Sequence, residues 1–307
     1  MGNNNTTSSP PESSSSSSHL TLEIIPEDQL NYEEMTKAPP ETMALVRQSN
    51  QPDGAFTTPS LPWPTYILDA WYTPQLAPHM VSRPQGSIKL TKADVQLLQS
   101  RPESTDSEQI QELADRVQSQ FPTTTTTPAF QCFVRLSMCS TKVGAHAKPA
   151  SSGMEVVQQI LKSHRCVNSL SCPIDHHTIW LFEWNHACDI TREFRVFIKG
   201  GRIVALAPYY CAVPLEWLTP SNATGIGEKI LSFYEETIYE FVHQLFEDAV
   251  MDVLYMEDGT VKLIEFNPIV TSGGGLFSWV EDKEALAGGS RLPIMRVVGR
   301  IRSISDY

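Results

Sequence analysis

The sequence predicts an α+β fold with mainly antiparallel sheets and flanking helices. Two pairs, Gly200-Gly201 and Asp258-Gly259, each separate two apolar runs, which is the strongest short-range signal for a β-hairpin. Helical patterns lie between the strands without the regular βα alternation of a doubly wound fold. The chain contains neither a Walker loop nor a dinucleotide fingerprint, so a nucleotide would have to bind through side chains on a sheet.

The chain divides into three segments by composition. Residues 1–18 are rich in Ser, Asn and Thr and predict a disordered tail, residues 19–60 predict an irregular Pro-rich lead-in, and residues 61–307 predict the folded domain with two subdomains. The chain has no apolar run that could cross a bilayer or act as a signal peptide, so we expect a soluble, cytoplasmic protein without stable membrane insertion. Gly2 with Thr6 matches the short myristoylation pattern, and the sequence leaves acylation of Gly2 open.

Charge and cysteine content exclude some classes of protein. The net charge of -12, without a basic stripe, argues against a nucleic-acid binder. The six cysteines form no CxxC pair and indicate reduced thiols. One crowded interval could assemble a zinc site, but its spacings match no standard module, and scattered core cysteines and loop histidines are the favoured interpretation. Its members are His164, Cys166, Cys172, His176, His177, His186 and Cys188.

Two amphipathic helices are predicted first. Thr91 as N-cap, with Asp94 three positions later, predicts a helix over residues 90–100. Apolar residues at helical spacing predict a second helix over residues 107–121. A Thr/Pro run over residues 122–129 then predicts a non-helical connection.

A strand, a loop, a helix and another strand follow. Residues 130–137 alternate in polarity and predict a strand that carries Arg135, and the small-residue loop after it contains Lys142. Residues 154–163 predict a helix, and residues 176–184 predict a strand.

The second half contains two hairpins on either side of a helix. In the first, over residues 193–210, a two-glycine turn places Arg195 opposite Leu206. Residues 228–246 predict one long helix with a single apolar stripe.

The second hairpin brings acidic side chains together. A two-residue loop at its Asp-Gly pair places Leu254 opposite Leu263 and Asp252 opposite Glu265. Because side chains alternate along a strand, Leu263, Glu265 and Asn267 are expected on one face.

Directly opposed like charges destabilise a sheet, so something must compensate for Asp252 and Glu265. The candidates are a raised pKa on one acid, a basic side chain from elsewhere, or a divalent cation, for which two carboxylates and an amide suggest magnesium or manganese. The alternative is a solvent-facing strand with two unrelated acids.

Several segments, taken together in order, resemble the cell-division-cycle protein 123 (D123) family of ATP-grasp proteins. The resemblance extends from about Trp71 to Leu286. It is carried by "AWYTPQL", "FVRLSMCSTKVG", "REFRVF", "MDVLYMEDGTVKLIEFNP" and "GGLFSWVED".

The resemblance implies an ATP-grasp-like fold and a site that binds ATP with Mg2+. Magnesium ligands would be Asp252, Glu265 and Asn267, with Glu265 replacing a usual Asp. The residues that the resemblance assigns to ATP binding are Arg135, Ser140, Lys142, Leu181, Glu193 and Arg195. The strand around Leu181 would contact the edge of the adenine ring through its backbone groups. No catalytic residue is assigned.

The resemblance also implies a function in assembling eukaryotic translation initiation factor 2, through its gamma subunit. An ATP-binding assembly chaperone is therefore the leading hypothesis. The alternatives are an ATP-grasp ligase that activates a carboxylate as an acyl phosphate, and a degenerate scaffold that no longer binds nucleotide.

The chain also departs from the family pattern at Val143, in residues 182–184 and in residues 208–210. Val143 replaces an Asp, and Phe182, Pro208 and Tyr209 stand where the family has charged or polar residues. Loss of two basic side chains implies either weaker nucleotide binding or a site that has changed its function. Considered one at a time, the remaining charged residues could also be ordinary surface ion pairs.

Overall fold

A computed structural model describes residues 19–35, 37, 39–40, 63–101, 107–122, 130–142 and 148–299. The predictions for the tail over residues 1–18, for Gly2, for residues 123–129 and for Val143 lie outside these residues. Within them, no helix has the length and apolar character needed to span a membrane.

The described strands form two sheets. The larger sheet has six strands in the order β1-β9-β6-β5-β7-β8, and the smaller has three in the order β2-β4-β3. Pairing is antiparallel except between β1 and β9 and between β6 and β9. The predicted α+β class with mainly antiparallel sheets is therefore confirmed. The strands are β1 Thr21–Pro26, β2 Pro84–Lys89, β3 Cys132–Leu136, β4 Thr178–Glu183, β5 Glu193–Lys199, β6 Arg202–Pro208, β7 Ala249–Tyr255, β8 Val261–Asn267 and β9 Ile294–Gly299.

Helices flank both sheets. They are α1 Tyr32–Met35, α2 Trp63–Tyr66, α3 Leu68–Trp71, α4 Lys92–Ser100, α5 Glu108–Gln118, α6 Gly153–Lys162, α7 His164–Ser169, α8 Pro220–Phe233, α9 Tyr239–Leu245 and α10 Lys283–Leu286. Single 3-10 turns lie at Glu27–Gln29, Ala77–His79, Ile190–Arg192 and Ile269–Thr271. The predicted capping box of α4 is present, with Thr91 accepting from the backbone of Asp94 and Asp94 accepting from that of Thr91.

Three apolar cores pack against the two sheets, and together they leave part of one face of the larger sheet uncovered by apolar side chains. The smaller sheet packs on α4, α5 and α6 around its own core. One face of the larger sheet is covered by α3, α8 and α9. The opposite face is covered toward β6 and β9 by residues 276–286. The remaining part of that opposite face, on β5, β7 and β8, carries the charged residues described below.

Two elements differ from their predictions. Within the lead-in that was expected to be irregular, residues Thr21–Pro26 form β1 and pair in parallel with β9. A six-residue strand that ends at a proline carries too little periodicity to be recognised, and its stability comes from the distant β9. The long helix predicted over residues 228–246 starts earlier, at Pro220, and is interrupted by a π-helical turn over Tyr234–Ile238.

The acidic hairpin contains two irregularities that cancel. Its loop has three residues rather than two, because Met256 donates its amide hydrogen to the carbonyl of Thr260. Leu254 therefore lies opposite Lys262 and not opposite Leu263. A β-bulge at Ile264 then restores the predicted register, so Asp252 lies opposite Glu265.

The same bulge changes which side chains share a face. Leu263 packs into the core with Phe266, while Glu265 and Asn267 lie on the opposite face. The prediction that Leu263 shares a face with Glu265 is therefore wrong, because the extra residue reverses the alternation.

A bulge also shifts the other hairpin. Its two-glycine turn is as predicted, with Lys199 opposite Arg202. An irregularity next to Ile198 then shifts the register, so Arg195 pairs with Ala207 and not with Leu206. On its other side, Arg195 lies directly opposite Asp252 of β7.

We predict that Gly153→Ala lowers the free energy of unfolding by at least about 2 kcal/mol. A Cβ at Gly153 would press on the carbonyl oxygen of Ala114 and lie 2.8 Å from the backbone nitrogen of Gln118, so α6 could not pack on α5. The measurement is urea unfolding followed by circular dichroism. The matched control is Gly225→Ala in α8, where a Cβ meets nothing within 4 Å. This control should be neutral or stabilising, and equal effects of the two changes would contradict the packing argument.

Candidate functional site

A charged cluster lies between the two sheets. It unites residues from β3, from the loop after β3, and from one face of β5, β7 and β8. Seven of the nine residues predicted for the site meet here: Arg135, Lys142, Glu193, Arg195, Asp252, Glu265 and Asn267.

Asp252 is the most deeply buried member of this cluster, with an exposed fraction of 0%. Arg195 donates hydrogen bonds from Nε and Nη2 to the two carboxylate oxygens of Asp252, each at 2.9 Å, and so forms a bidentate ion pair. Asn267 Nδ2 donates to the same carboxylate at 3.0 Å. This arrangement satisfies the buried charge with three charge-assisted or neutral hydrogen bonds.

Glu265 pairs with Arg135, which reaches across from the smaller sheet. Burial alone would raise the pKa of Glu265, but Arg135, Arg165 and Lys142 outweigh burial and lower that pKa to about 2. Arg135 is 6% exposed, and its Nε has no hydrogen-bond partner among the described residues. An unsatisfied buried donor of this kind is costly unless a ligand or water completes it.

Glu193 and Lys142 form the third pair, with 3.5 Å between Oε2 and Nζ. Burial raises the pKa of Glu193 to about 7, with a further rise from Asp252 and Glu265, although Lys142 and Arg195 oppose it. Burial would lower the pKa of Lys142, but the neighbouring carboxylates raise it overall. The opposed acids are thus compensated by basic side chains, one of the three candidates considered from the sequence.

Tyr209 covers two of these cations. Its ring centre lies 4.6 Å from Cζ of Arg195 and 5.9 Å from Nζ of Lys142. Cation–π contacts of this kind hold a charged group without neutralising it. Tyr209 therefore supplies an aromatic ring that orients two cations of the site.

Arg165 is a site residue that the sequence analysis missed. It lies on α7 and lowers the pKa of Glu265. Burial would lower the pKa of Arg165, but Glu265, together with Cys139 and Tyr209, raises it overall. Its guanidinium makes no ion pair with another described residue. No spacing or motif in the sequence singles out Arg165, because its position depends on how α7 packs in the core of the smaller sheet.

Two cavities border the charged cluster from different sides. The smaller, of ≈ 260 Å³, is mainly apolar and ends at Arg135, Lys142 and Glu193. The larger, of ≈ 520 Å³, reaches Arg165, Arg195, Tyr209, Glu265 and Asn267. The apolar lining of the smaller cavity includes Phe133, Phe182, Trp184, Ile190 and Leu254.

The space between the two sheets, with the charged cluster and its two cavities, is called the cleft below. Two of the residues predicted for the site do not line it. The side chain of Leu181 belongs to the core of the smaller sheet, and β4 is paired on both edges, so its backbone is not free to edge a base there. Phe182 and Trp184 line the apolar cavity instead. Ser140 is buried and bridges to Arg135 through its backbone.

The oxygen donors of the cluster fit magnesium in kind. Asp252 and Glu265 are carboxylates, and Asn267 keeps its carbonyl oxygen unused because its amide nitrogen donates to Asp252. Each carboxylate oxygen can accept more than one contact, so the arginine pairs leave acceptor capacity. Among all the described residues, the charged cluster and the His and Cys residues of 164–188 included, no group of three or more His, Cys, Asp or Glu side chains is placed to hold a metal ion, so a magnesium site here would depend on Asn267 and on ligand oxygens.

Comparisons with known proteins are consistent with these observations. The D123 family model matches residues 161–305. The solved structure of Cdc123 from Schizosaccharomyces pombe is similar with a TM-score of 0.60 and 19% identity, covering 76% of this chain and 95% of that chain. A C-terminally truncated form of the same protein gives a TM-score of 0.60 and 19% identity, covering 76% and 96%. No curated protein sequence matches this chain. The similarity shows that this chain shares the α+β fold of Cdc123.

We predict that Glu193→Gln flattens the pH dependence of stability between pH 5 and pH 7. Glu193 has a folded-state pKa of about 7, above its ordinary value of 4.5, so the folded protein retains a proton that the unfolded chain has lost. The contribution of Glu193 to the free energy of unfolding therefore falls as pH rises through this window. The measurement is urea unfolding at several pH values with EDTA present.

Glu265→Gln is the matched control for this experiment. The pKa of Glu265 is lowered to about 2, so its contribution is lost only as pH falls from about 4.5 toward 2. Because the charge of Glu265 contributes to the raised pKa of Glu193, the control should reduce the slope between pH 5 and pH 7 only in part and should change stability mainly below pH 4.5. An unchanged slope in the Glu193 variant would show that another group titrates in this range.

Proposed function

We propose that this protein binds ATP with magnesium in the cleft between its two sheets, as the match of residues 161–305 to the D123 family model suggests. We propose further that it acts in the cytoplasm as an assembly chaperone for eukaryotic translation initiation factor 2, through the gamma subunit. The family resemblance supplies the partner. The cleft supplies the argument for the ligand.

The buried Nε of Arg135, which lacks a partner, is the observation that carries the proposal of an anionic ligand. Arg135 lines the apolar cavity together with Lys142, so a ligand with an apolar ring and an anionic tail matches the chemistry of that space. Phe133, Phe182 and Trp184 offer aromatic and apolar surface to a base. The phenylalanine at 182, which departs from the family pattern, is therefore compatible with a nucleotide.

The charges of the cluster also favour a polyanion. Four cations face three carboxylates, and one of these, Glu193, has a pKa of about 7. The surplus of positive charge would be offset by phosphate oxygens, with Arg135, Lys142 and Arg195 as the neutralising side chains. Asp252, Glu265 and Asn267 would hold magnesium, which when bound supplies charge neutralisation for the phosphates.

A second candidate function is favoured by the larger cavity. It lies beyond the cluster and contains Arg165, whose guanidinium has no ion-pair partner among the described residues. A small carboxylate could bind there next to the proposed phosphate groups, as an enzyme that activates a carboxylate requires. In that case ADP or AMP is released when the correct acceptor is added, and Arg165→Gln reduces this turnover while leaving ATP affinity nearly unchanged.

We predict that ATP binds in a magnesium-dependent manner and that Asp252→Asn and Glu265→Gln each weaken this binding at least tenfold, about 1.4 kcal/mol. The amides keep the size of the side chains but lose the charge that a metal ion needs. Isothermal titration calorimetry with and without magnesium is the measurement, and circular dichroism checks folding. Glu240→Gln on the exposed surface of α9 is the control. If the wild-type protein does not bind ATP, or binds ATP with the same affinity in the absence of magnesium, the proposal is contradicted.

We predict that the gamma subunit of initiation factor 2 co-purifies with the wild-type protein after gentle lysis in ATP and magnesium. EDTA, or the Asp252→Asn substitution, should reduce the amount of gamma subunit recovered, because binding of the subunit is proposed to depend on bound ATP and magnesium. Immunoblotting of the eluate is the measurement. Absence of the subunit from all samples would overturn the partner and leave the nucleotide proposal to the calorimetry.

A further inference from the structure

Two buried cysteines lie in contact beside the site. The Sγ atoms of Cys139 and Cys166 are 3.8 Å apart, and both side chains are buried. Cys139 belongs to the loop after β3, and Cys166 belongs to α7. The proposed nucleotide chemistry uses neither thiol.

The surroundings of this pair favour reaction at Cys139. Cys139 lines the larger cavity, which gives a small molecule a route to a sulfur that is otherwise enclosed. Ser169 Oγ lies 3.5 Å from its Sγ. Hydrogen bonding from Cys166, together with Ser169 and the nearby charge of Arg165, lowers the pKa of Cys139 against the opposing effect of burial. The thiolate is the reactive form of cysteine.

Cys166 is positioned to react second. Its Sγ contacts the carbonyl oxygen of Ser140 at 3.4 Å, so it is held next to the loop that carries Cys139. Formation of a disulfide requires the two sulfurs to approach to about 2.05 Å, which is less than 2 Å of movement in total. The loop before Lys142 and the short α7 can share that movement.

We propose that Cys139 and Cys166 form a reversible disulfide when the protein meets a peroxide. The Cys139 thiolate attacks one peroxide oxygen, the O–O bond breaks, and a sulfenic acid forms while the other oxygen leaves as water after taking up a proton. The Cys166 thiol then attacks the sulfenic sulfur, the S–O bond breaks, and a second water leaves. The two thiols lose two electrons, and the peroxide is reduced to water. A dithiol reductant reverses the reaction by exchange.

The disulfide would connect two segments that both carry cations of the site. Lys142 follows Cys139 by three positions, and Arg165 directly precedes Cys166. The bond would therefore fix the loop after β3 to α7 and reduce the freedom of both segments in the unfolded chain. Oxidation is expected to raise the melting temperature by several degrees, and reduction should reverse the rise.

The test is mass spectrometry of the full-length protein after treatment with a small excess of hydrogen peroxide. The expected result is a loss of two hydrogens that a dithiol restores, and a peptide pair after proteolysis that joins Cys139 to Cys166. A stable gain of oxygen on Cys139 without a cross-link, or a cross-link from Cys139 to Cys172, would overturn the proposal. Cys172 is the informative alternative because it lines the same cavity.

Variants separate this pair from the other thiols. Cys166→Ser should leave oxidised Cys139 as a sulfenic acid and remove the reversible rise in melting temperature, whereas Cys211→Ser, at a buried thiol outside the pair, should retain both the cross-link and the rise. If Cys166→Ser does not fold, the peptide map of the wild-type protein still decides. A rise in melting temperature that persists in Cys166→Ser would contradict the proposal.

Discussion

The pairing of Arg195 with Asp252 is the interaction on which the rest of the site depends. The carboxylate of Asp252 is fully buried, and burying a charged carboxylate without a partner costs free energy. The bidentate ion pair with Arg195 on the neighbouring strand offsets this cost. Because β5 and β7 place these residues directly opposite each other, the sheet itself aligns the guanidinium with the acid. Asn267 and Glu265 then take positions around a group that is already fixed. A second arginine–carboxylate ion pair, between Arg135 of the smaller sheet and Glu265 of the larger sheet, links the two sheets across the cleft.

The cleft combines two kinds of surface that a single sheet face seldom offers together. An apolar cavity ends at buried cations, and a second cavity starts on the far side of the same cations. Tyr209 stacks over Arg195 and Lys142, so an aromatic ring supports the cations at the centre of the cleft. This combination favours a ligand that is apolar at one end and anionic at the other.

The sequence predicted the centre of the site better than its surroundings. The opposition of Asp252 and Glu265 is correct, although it follows from two errors of one residue that cancel. Such irregularities depend on how neighbouring strands twist and pack, and local residue preferences do not encode them. Arg165 was missed because its role depends on the packing of α7. Leu181 was assigned from the family resemblance, but its side chain lies in the core of the smaller sheet and its strand is paired on both edges. Where turn chemistry or capping fixes geometry locally, as at Thr91, the prediction holds.

The paired irregularities of the acidic hairpin have a consequence for how this protein can change over evolutionary time. The three-residue loop and the bulge at Ile264 each displace the two strands by one position, in opposite senses. Because Met256 pairs with Thr260, the pairing of the strands beyond the loop does not depend on the number of residues inside it, and loss of one loop residue would leave Asp252 opposite Glu265. Ile264 is the extra residue of the bulge, so its deletion would join Leu263 to Glu265 as a regular strand and keep both side chains on their present faces. Divergent lineages can therefore change the length of this hairpin at either place while the charged centre keeps its geometry.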